Sequence, residues 1–236
     1  MANFSANSSL RKAALIAGIG LLSMTILAVG AIFFIFENLI IPGDAGATVN
    51  NILAGEMQFR IGIACLLMVA VLDVVVAWAL YVFLEPASKH LSLFAAWFRV
   101  VYAAIFGGAL FSYANVLRLL GGAHYMKGLE TGRLHADVML SLEGFDDGWA
   151  IGLVFFGIHL IILGCVVFKS GYVPRILGIV LAIAGAAYVA DSFGRFLLPN
   201  HAIELATFLG WGELLFMLWL LYRGLKAPDT SLNTDS

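Results

Sequence analysis

The sequence predicts an all-α, polytopic membrane protein, a bundle of six transmembrane helices with both termini on the cytoplasmic side. Hydrophobic residues make up 62% of the chain and charged residues 12%, and the mean hydropathy is +0.98. These values lie far outside the range of soluble domains. No alternating pattern suggests a barrel, and lipid offers no partner to backbone N–H and C=O groups, so the apolar segments must be helical.

Each of six segments contains about 20 or more largely apolar residues, enough to cross a hydrocarbon core of about 30 Å at 1.5 Å per residue. The segments are residues 13–36, 60–84, 91–117, 149–169, 175–197 and 205–224. We expect them to form one domain over residues 1–226, followed by a polar C-terminal tail over residues 227–236. The first apolar run is too long for the core of a signal peptide, and we interpret it as an uncleaved anchor.

The charged residues at the helix ends indicate the orientation in the membrane. Acidic residues gather at one set of ends, and most basic residues gather at the other: Arg11, Lys12, Lys89, Lys169, Arg175, Arg223 and Lys226. By the positive-inside rule, these basic ends and both termini face the cytoplasm. The net charge is −2, and the absence of a basic cluster gives no indication of a nucleic-acid partner.

The connections between the predicted helices differ in length. A break at residues 42–46 leads into a short external loop, and Glu85-Pro86 ends the second helix because proline lacks an amide donor. Residues 119–148 form the longest connection, which we interpret either as a lid or short interfacial helix or as a plain solvated loop. A short basic hairpin over residues 169–175 joins the fourth and fifth helices.

Four ionisable residues from four different helices fall at nearly one depth. Counted from the cytoplasmic ends, Asp73, His159 and Glu213 lie about 15–17 Å into the core, and Arg99 lies at about 12 Å. An unpaired charge at this depth costs roughly 2.5–3.5 kcal/mol on insertion scales, so these groups should face inward and satisfy one another. Two carboxylates against one arginine leave a surplus negative charge. A protonated His159, a protonated carboxyl or a bound cation must neutralise it.

Further polar residues extend this set along two helices. Tyr102 follows Arg99 on one face of the third helix, and Tyr188 and Asp191 lie along the fifth. The candidates for ligand binding or proton relay are therefore Asp73, Arg99, Tyr102, His159, Tyr188, Asp191 and Glu213. The alternative interpretation is structural, with buried ion pairs and hydrogen bonds that simply hold the bundle together.

The sequence gives little support to cofactor or metal sites of known kinds. No lysine lies in the middle of a helix, so a retinal-type Schiff base has no attachment point, and a single deep histidine does not support a haem with two axial histidines. Asp73, His159 and Glu213 are suitable ligand types for a divalent metal, but no spacing motif supports a metal site, and we predict none. The sequence assigns no catalytic residue and no cofactor.

Four groups of short motifs, in this order, resemble those of a known family. They are WFRVVYA at residues 97–103, FFGIHL at 155–160 with Leu163-Gly164, VPRILG at 173–178 with Tyr188 and Asp191-Ser192-Phe193, and Gly212-Glu213 with LWLL at 218–221. They are similar to the motifs of the bacterial integral membrane proteins grouped as domain of unknown function 4386. The resemblance extends from about Lys12 to Lys226 and is strongest after residue 149. It implies a helical bundle in the bacterial inner membrane and supplies no established activity.

Three classes of function remain open. The leading hypothesis is a membrane binding or transport protein whose buried polar cavity takes up a small or amphiphilic ligand, with proton coupling through Asp73, His159 and Glu213. The second is an intramembrane enzyme acting on lipid, with His159 and a carboxylate as general base and acid. The third is a structural scaffold or partner subunit. Each predicts a multi-pass protein of the bacterial cytoplasmic (inner) membrane, with membrane lipids as partners and an oligomeric state that the sequence does not give.

Overall fold

The computed structural model describes residues 8–121, 130–198 and 205–226. Within these ranges the chain is helical and forms no strand, which confirms the predicted all-α class. Among the described residues, six helical segments are long and apolar enough to cross a membrane: Ser8–Leu39, Glu56–Leu84, Lys89–Leu120, Thr131–Ser170, Arg175–Leu197 and Leu205–Leu225. The predicted tail, residues 227–236, lies outside the described residues.

The six spans contain nearly all of the helical elements. The helices are α1 (Ser8–Ala31), α2 (Glu37–Leu39), α3 (Ala45–Ala54), α4 (Glu56–Leu84), α5 (Lys89–Leu120), α6 (Thr131–Ser170), α7 (Arg175–Leu197), α8 (Leu205–Leu209) and α9 (Gly212–Leu225). A π-helical turn, Ile32–Phe36, joins α1 to α2, and α8 and α9 form the sixth span with a break at Gly210 and Trp211. The predicted bounds of the fifth span agree with α7. The helix α4 begins earlier than predicted, and α5 is longer than predicted at both ends, because polar residues in these end turns lower the local hydropathy.

The prediction of a loop over residues 119–148 is wrong for most of this range. The helix α6 begins at Thr131 and runs without interruption into the predicted fourth span. Val138, Leu142 and Phe145 recur at steps of four and three residues and are all buried, so an apolar stripe stabilises this part of the helix. Charged residues on its other faces lower the mean hydropathy and conceal the helix from a search for apolar segments.

The predicted external loop after residue 46 contains the helix α3. Asp44 is its N-cap, and the Asp44 Oδ1 atom accepts a hydrogen bond from the Ala47 amide at 2.8 Å. The fully buried Thr48 accepts from the amide of Ile41 at 2.9 Å and donates to the carbonyl oxygen of the same residue at 3.2 Å. An N-cap acceptor satisfies an amide that has no partner within the helix, so a short helix forms where the composition suggested only a loop.

Replacing Asp44 with alanine should destabilise α3 by about 1 kcal/mol, because the amide at the start of the helix loses its acceptor. Hydrogen exchange measured along the chain should show faster exchange confined to Ala45–Ala54. Asp44→Asn is the matched control, since asparagine caps helices about as well as aspartate. Equal exchange in α3 of the alanine and asparagine variants would contradict this account of the cap.

The described part of the chain divides into two compact units. The second unit comprises residues 103–121 and 130–152 together with Ser23–Val71. Its core contains a cluster of aromatic rings centred on Tyr113. The ring centroids of Phe36 and Tyr113 lie 4.8 Å apart, those of Phe59 and Tyr113 lie 5.5 Å apart, and Tyr113 stacks on Phe145 at 4.2 Å. Such ring pairs contribute stability beyond the area that they bury.

Within the described part of the chain, the first unit comprises residues 8–22, 72–102, 153–198 and 205–226. In this unit α6 and α7 pack closely through small residues. A Cβ atom added to Gly157 would lie 2.6 Å from the carbonyl oxygen of Gly185. One added to Gly178 would lie 2.6 Å from the carbonyl oxygen of Gly164. Only glycine permits this approach of two helix backbones, which is a common packing mode in membranes. The single-domain division over residues 1–226 stays a prediction.

The connection between α6 and α7 contacts the end of α4. Gly171 has a φ of 74°, a conformation that favours glycine. The Tyr172 hydroxyl donates to the carbonyl oxygen of Phe83 at 2.7 Å, one of the carbonyls in the last turn of α4 that lacks a partner within the helix. Burial raises the pKa of Tyr172, so its hydroxyl remains a hydrogen-bond donor.

Candidate functional site

The guanidinium of Arg99 lies at the centre of the polar residues that the sequence placed at one depth. Its side chain is 0% exposed, and it contacts Asp73 on α4, His159 on α6 and Glu213 on α9. We call these four residues the Arg99 cluster; all of them belong to the first unit. The structure therefore brings two carboxylates and one imidazole together around a single guanidinium.

Asp73 binds Arg99 through one carboxylate oxygen. The Arg99 Nε atom donates to Asp73 Oδ1 at 2.9 Å, and the Arg99 Nη2 atom lies 2.8 Å from the same oxygen. Asp73 is also fully buried. Its second oxygen, Oδ2, has no hydrogen-bond partner among the residues that the structure describes. A buried carboxylate oxygen without a partner is costly, so this atom is suited to a proton, a cation or another donor.

Glu213 binds the same guanidinium from the sixth span. The Arg99 Nη1 atom donates to Glu213 Oε1 at 2.5 Å, and the Glu213 side chain is 23% exposed. Glu213 occupies the first turn of α9, directly after the break in the span. Gly212 brings the start of α9 against α7, because a Cβ atom there would lie 2.8 Å from the carbonyl oxygen of Val180. Glu213 is thus the partly accessible acid of the cluster.

The hydrogen bonds of His159 define its protonation state. His159 is 1% exposed, and its Nδ1 atom lies 2.9 Å from the carbonyl oxygen of Ala95. A carbonyl oxygen only accepts, so Nδ1 carries the proton and donates. The Nε2 atom lies 3.2 Å from Arg99 Nη1, and a guanidinium only donates, so Nε2 accepts with its lone pair. His159 is therefore neutral in this arrangement and does not supply the positive charge that the two acids need.

An aromatic ring that the sequence analysis did not single out covers the cluster. The ring centroid of Phe156 lies 5.5 Å from the Arg99 guanidinium carbon and 5.9 Å from the ring centroid of His159. Tyr102 packs on Phe156 at 4.9 Å, and Tyr188 contacts it edge-on at 5.5 Å. Phe156 lies three residues before His159, a spacing that places both on one helix face, and this spacing was the signal that could have identified it.

Asp191 is placed differently from the other candidates. Its two carboxylate oxygens accept hydrogen bonds from the amides of Leu205 and Ala206, at 3.0 and 2.6 Å. These amides belong to the first turn of α8, where backbone donors lack partners within the helix. Among the described hydrogen bonds and ion pairs, none joins Asp191 to the Arg99 cluster. Asp191 thus tethers α7 to the start of the sixth span, and a role for it in ligand binding stays a prediction.

The charges of the cluster do not balance. Asp73 and Glu213 supply two carboxylates, Arg99 supplies one positive charge, and the hydrogen bonds make His159 neutral. One negative charge is left over when both acids are ionised. Within the described part of the chain, no group of three or more His, Cys, Asp or Glu residues is arranged to hold a metal ion. The cluster can therefore take up a proton or a single positive charge.

Comparison with known proteins identifies the family of the chain. The sequence matches the family described as "Domain of unknown function (DUF4386)" over residues 16–224. It is similar to an uncharacterized protein of Archaeoglobus fulgidus, with 37% identity over 162 residues that cover 69% of this chain and 83% of the relative. No solved structure matches the chain significantly. The family match covers most of the chain and confirms the resemblance seen in the sequence motifs, and this multi-pass membrane protein therefore belongs to the DUF4386 family.

Proposed function

We propose that this protein binds or transports a small or amphiphilic cation at the Arg99 cluster and couples this to a proton. The observation that carries the proposal is that two carboxylates share one fully buried guanidinium. We further propose that it resides in the bacterial cytoplasmic (inner) membrane, with both termini in the cytoplasm. The positive-inside distribution of its basic residues supports this orientation.

We choose a cation as the ligand because of the charges that already surround Arg99. Asp73 and Glu213 already supply two carboxylates to the single positive charge of Arg99, so an anionic ligand would add to the surplus negative charge. The unbalanced negative charge instead attracts a proton or a cationic ligand, and binding of one favours release of the other. Competition of this kind is the physical basis of proton-coupled exchange.

The two acids differ in access. Glu213 is partly exposed, whereas Asp73 is fully buried, so Glu213 meets the ligand or proton first and Asp73 holds it deeper. The sixth span is interrupted directly before α9, and interrupted helices frequently form ligand sites in membrane transporters. Intramembrane acids also commonly mark substrate or proton pathways. These features support a binding or transport role.

The hydrogen bonds of His159 argue against the alternative of an intramembrane lipid enzyme. A general base needs a lone pair that can reach the substrate, but Nε2 of His159 is engaged by Arg99 and Nδ1 by Ala95. His159 is also almost completely buried. The site therefore supports binding of a ligand better than catalysis.

Equilibrium dialysis of the purified full chain with tetraphenylphosphonium, an amphiphilic cation, tests the proposal. We expect the wild type to bind this probe more tightly as the pH rises, since deprotonation exposes the negative charge. Asp73→Asn and Glu213→Gln should each weaken binding roughly tenfold or more, because a charge-assisted contact contributes about 1.5–3 kcal/mol. Both variants should also flatten the pH dependence.

Glu56→Gln is the matched control, because Glu56 is an acid on an exposed part of α4 paired with Arg60. This variant should bind the probe like the wild type. Infrared spectra give a readout without any ligand, since a protonated buried carboxyl has its own C=O stretching band, which Asp73→Asn or Glu213→Gln should remove. Unchanged binding, pH dependence and spectra in both cluster variants would reject the proposal and leave a purely structural network.

A further inference from the structure

A second candidate binding site lies on the α6–α7 pair and involves none of the residues of the Arg99 cluster. A groove of about 420 Å³ runs along this pair, with walls that include Gly164, Cys165, Phe168, Lys169, Ile179 and Ala186. We call it the α6–α7 groove. Its volume is within the range of small-molecule pockets, about 300–1,000 Å³.

Helix packing explains why the groove exists. The close approach of Gly164 and Gly178 leaves a shallow floor of small residues, while larger side chains such as Phe168 and Ile183 form the flanks. Both helices have membrane-spanning length and composition, so in a bilayer this floor faces hydrocarbon. A flexible hydrocarbon chain can fill a groove of this shape, whereas a gap would forfeit its dispersion contacts.

Two cations lie at one end of the groove. Lys169 is the last but one residue of α6 and lines the groove. Arg175 is the first residue of α7, and its guanidinium carbon lies 5.5 Å from the ring centroid of Phe168, which also lines the groove. Both side chains are exposed, and the ion pairs found among the described residues include neither of them. An apolar groove that ends at two cations is complementary to a chain that ends in an anion.

We infer that the α6–α7 groove binds an acyl chain of an anionic phospholipid, with the lipid phosphate held by Lys169 and Arg175. The basic hairpin between the helices is then the headgroup site, and the small-residue floor is the acyl-chain site. This inference is independent of the proposed function, because no residue of the Arg99 cluster takes part in it.

Native mass spectrometry of the full chain in detergent tests the inference. The protein is offered equal amounts of phosphatidylglycerol and phosphatidylcholine with the same acyl chains, and we expect retention of phosphatidylglycerol. Each basic residue near a membrane surface favours anionic lipid by an amount that corresponds to roughly a fivefold preference. Lys169→Gln should therefore lower the preference by about fivefold, and the double variant with Arg175→Gln should lower it further.

Two variants separate the groove from a general attraction to positive charge. Lys89→Gln is the matched control, because Lys89 is an exposed cation at a helix end that pairs with Glu85 at 3.4 Å, and the preference should not change. Ala186→Phe places a ring in the groove and should reduce retention of both lipids. A wild type without preference, a double variant that keeps it, or equal lipid retention by a folded Ala186→Phe protein would each overturn the inference.

Thiol labelling adds a readout that needs no groove-filling variant. Cys165 lines the groove and is exposed, so phosphatidylglycerol should slow its reaction with a maleimide more than phosphatidylcholine does. Cys65 on α4 serves as the internal reference within the same molecule. Equal protection of Cys165 by the two lipids would overturn the inference.

Discussion

Arg99→Ala is expected to destabilise the protein by about 3–5 kcal/mol, the cost of breaking a buried ion pair by removing one partner. The guanidinium is completely buried and binds Asp73 and Glu213. Without it, two carboxylates face each other in an apolar interior, and His159 loses the donor to its Nε2 atom. Unfolding of the detergent-solubilised protein, followed by circular dichroism, measures the loss.

Arg60→Ala is the matched control for this prediction. Arg60 also pairs with a carboxylate within a membrane-spanning helix, Glu56 at 2.6 Å, but both side chains are about half exposed. An exposed pair at this spacing contributes only about 0.3–0.5 kcal/mol, so the two alanine variants should differ several-fold in the free energy of unfolding. Comparable losses would show that burial of the Arg99 charge does not determine its contribution.

A double variant tests whether the loss comes from the uncompensated acids. Adding Asp73→Asn to Arg99→Ala removes one buried negative charge and should restore part of the stability, although Asp73→Asn alone should be destabilising. Residues in direct contact show coupling free energies of about 0.5–3 kcal/mol. Strictly additive effects would mean that the ion pair at 2.8 Å contributes no coupling, and the loss of stability in Arg99→Ala would not come from the uncompensated acids.

The meeting of the four residues of the Arg99 cluster could be predicted from their depth in the membrane alone. Helix rise assigns a level in the membrane to each ionisable residue, and the cost of an unpaired charge requires groups at one level to find one another. Sequence could not determine which group lies at the centre. The central place of Arg99 follows from its long side chain and five donors, which allow one residue to bind partners on three other helices.

Two other features of the structure could not be predicted from the distribution of apolar residues in the sequence. The first half of α6 is amphipathic, and its stripe of Val138, Leu142 and Phe145 has the spacing of a helix without the composition of a membrane span. The hydrogen bonds from the amides of Leu205 and Ala206 to Asp191 join residues that are 14 and 15 positions apart in the sequence. A pairing set by tertiary structure leaves no periodic signal in the sequence.

Gly178→Ala should destabilise the α6–α7 pair by about 1–3 kcal/mol, the usual cost of overpacking a well-packed contact. The added Cβ atom would lie 2.6 Å from the carbonyl oxygen of Gly164 and 2.8 Å from the amide nitrogen of Phe168. Both are backbone atoms of a regular helix, and neither can rotate away as a side chain can. The two helices must therefore move apart, and the contacts on both sides of Gly178 weaken together.

Gly108→Ala separates this packing effect from the general effect of adding a methyl group to a membrane helix. A Cβ atom at Gly108 on α5 would meet no described atom within 4 Å, so alanine there should be neutral or stabilise the helix by about 0.4–1 kcal/mol. Thermal unfolding in the same detergent should give a lower midpoint for Gly178→Ala than for the wild type, and an unchanged or higher midpoint for Gly108→Ala. If Gly178→Ala were as stable as Gly108→Ala, the glycines would not be what holds α6 against α7, and the close approach of their backbones would need another cause.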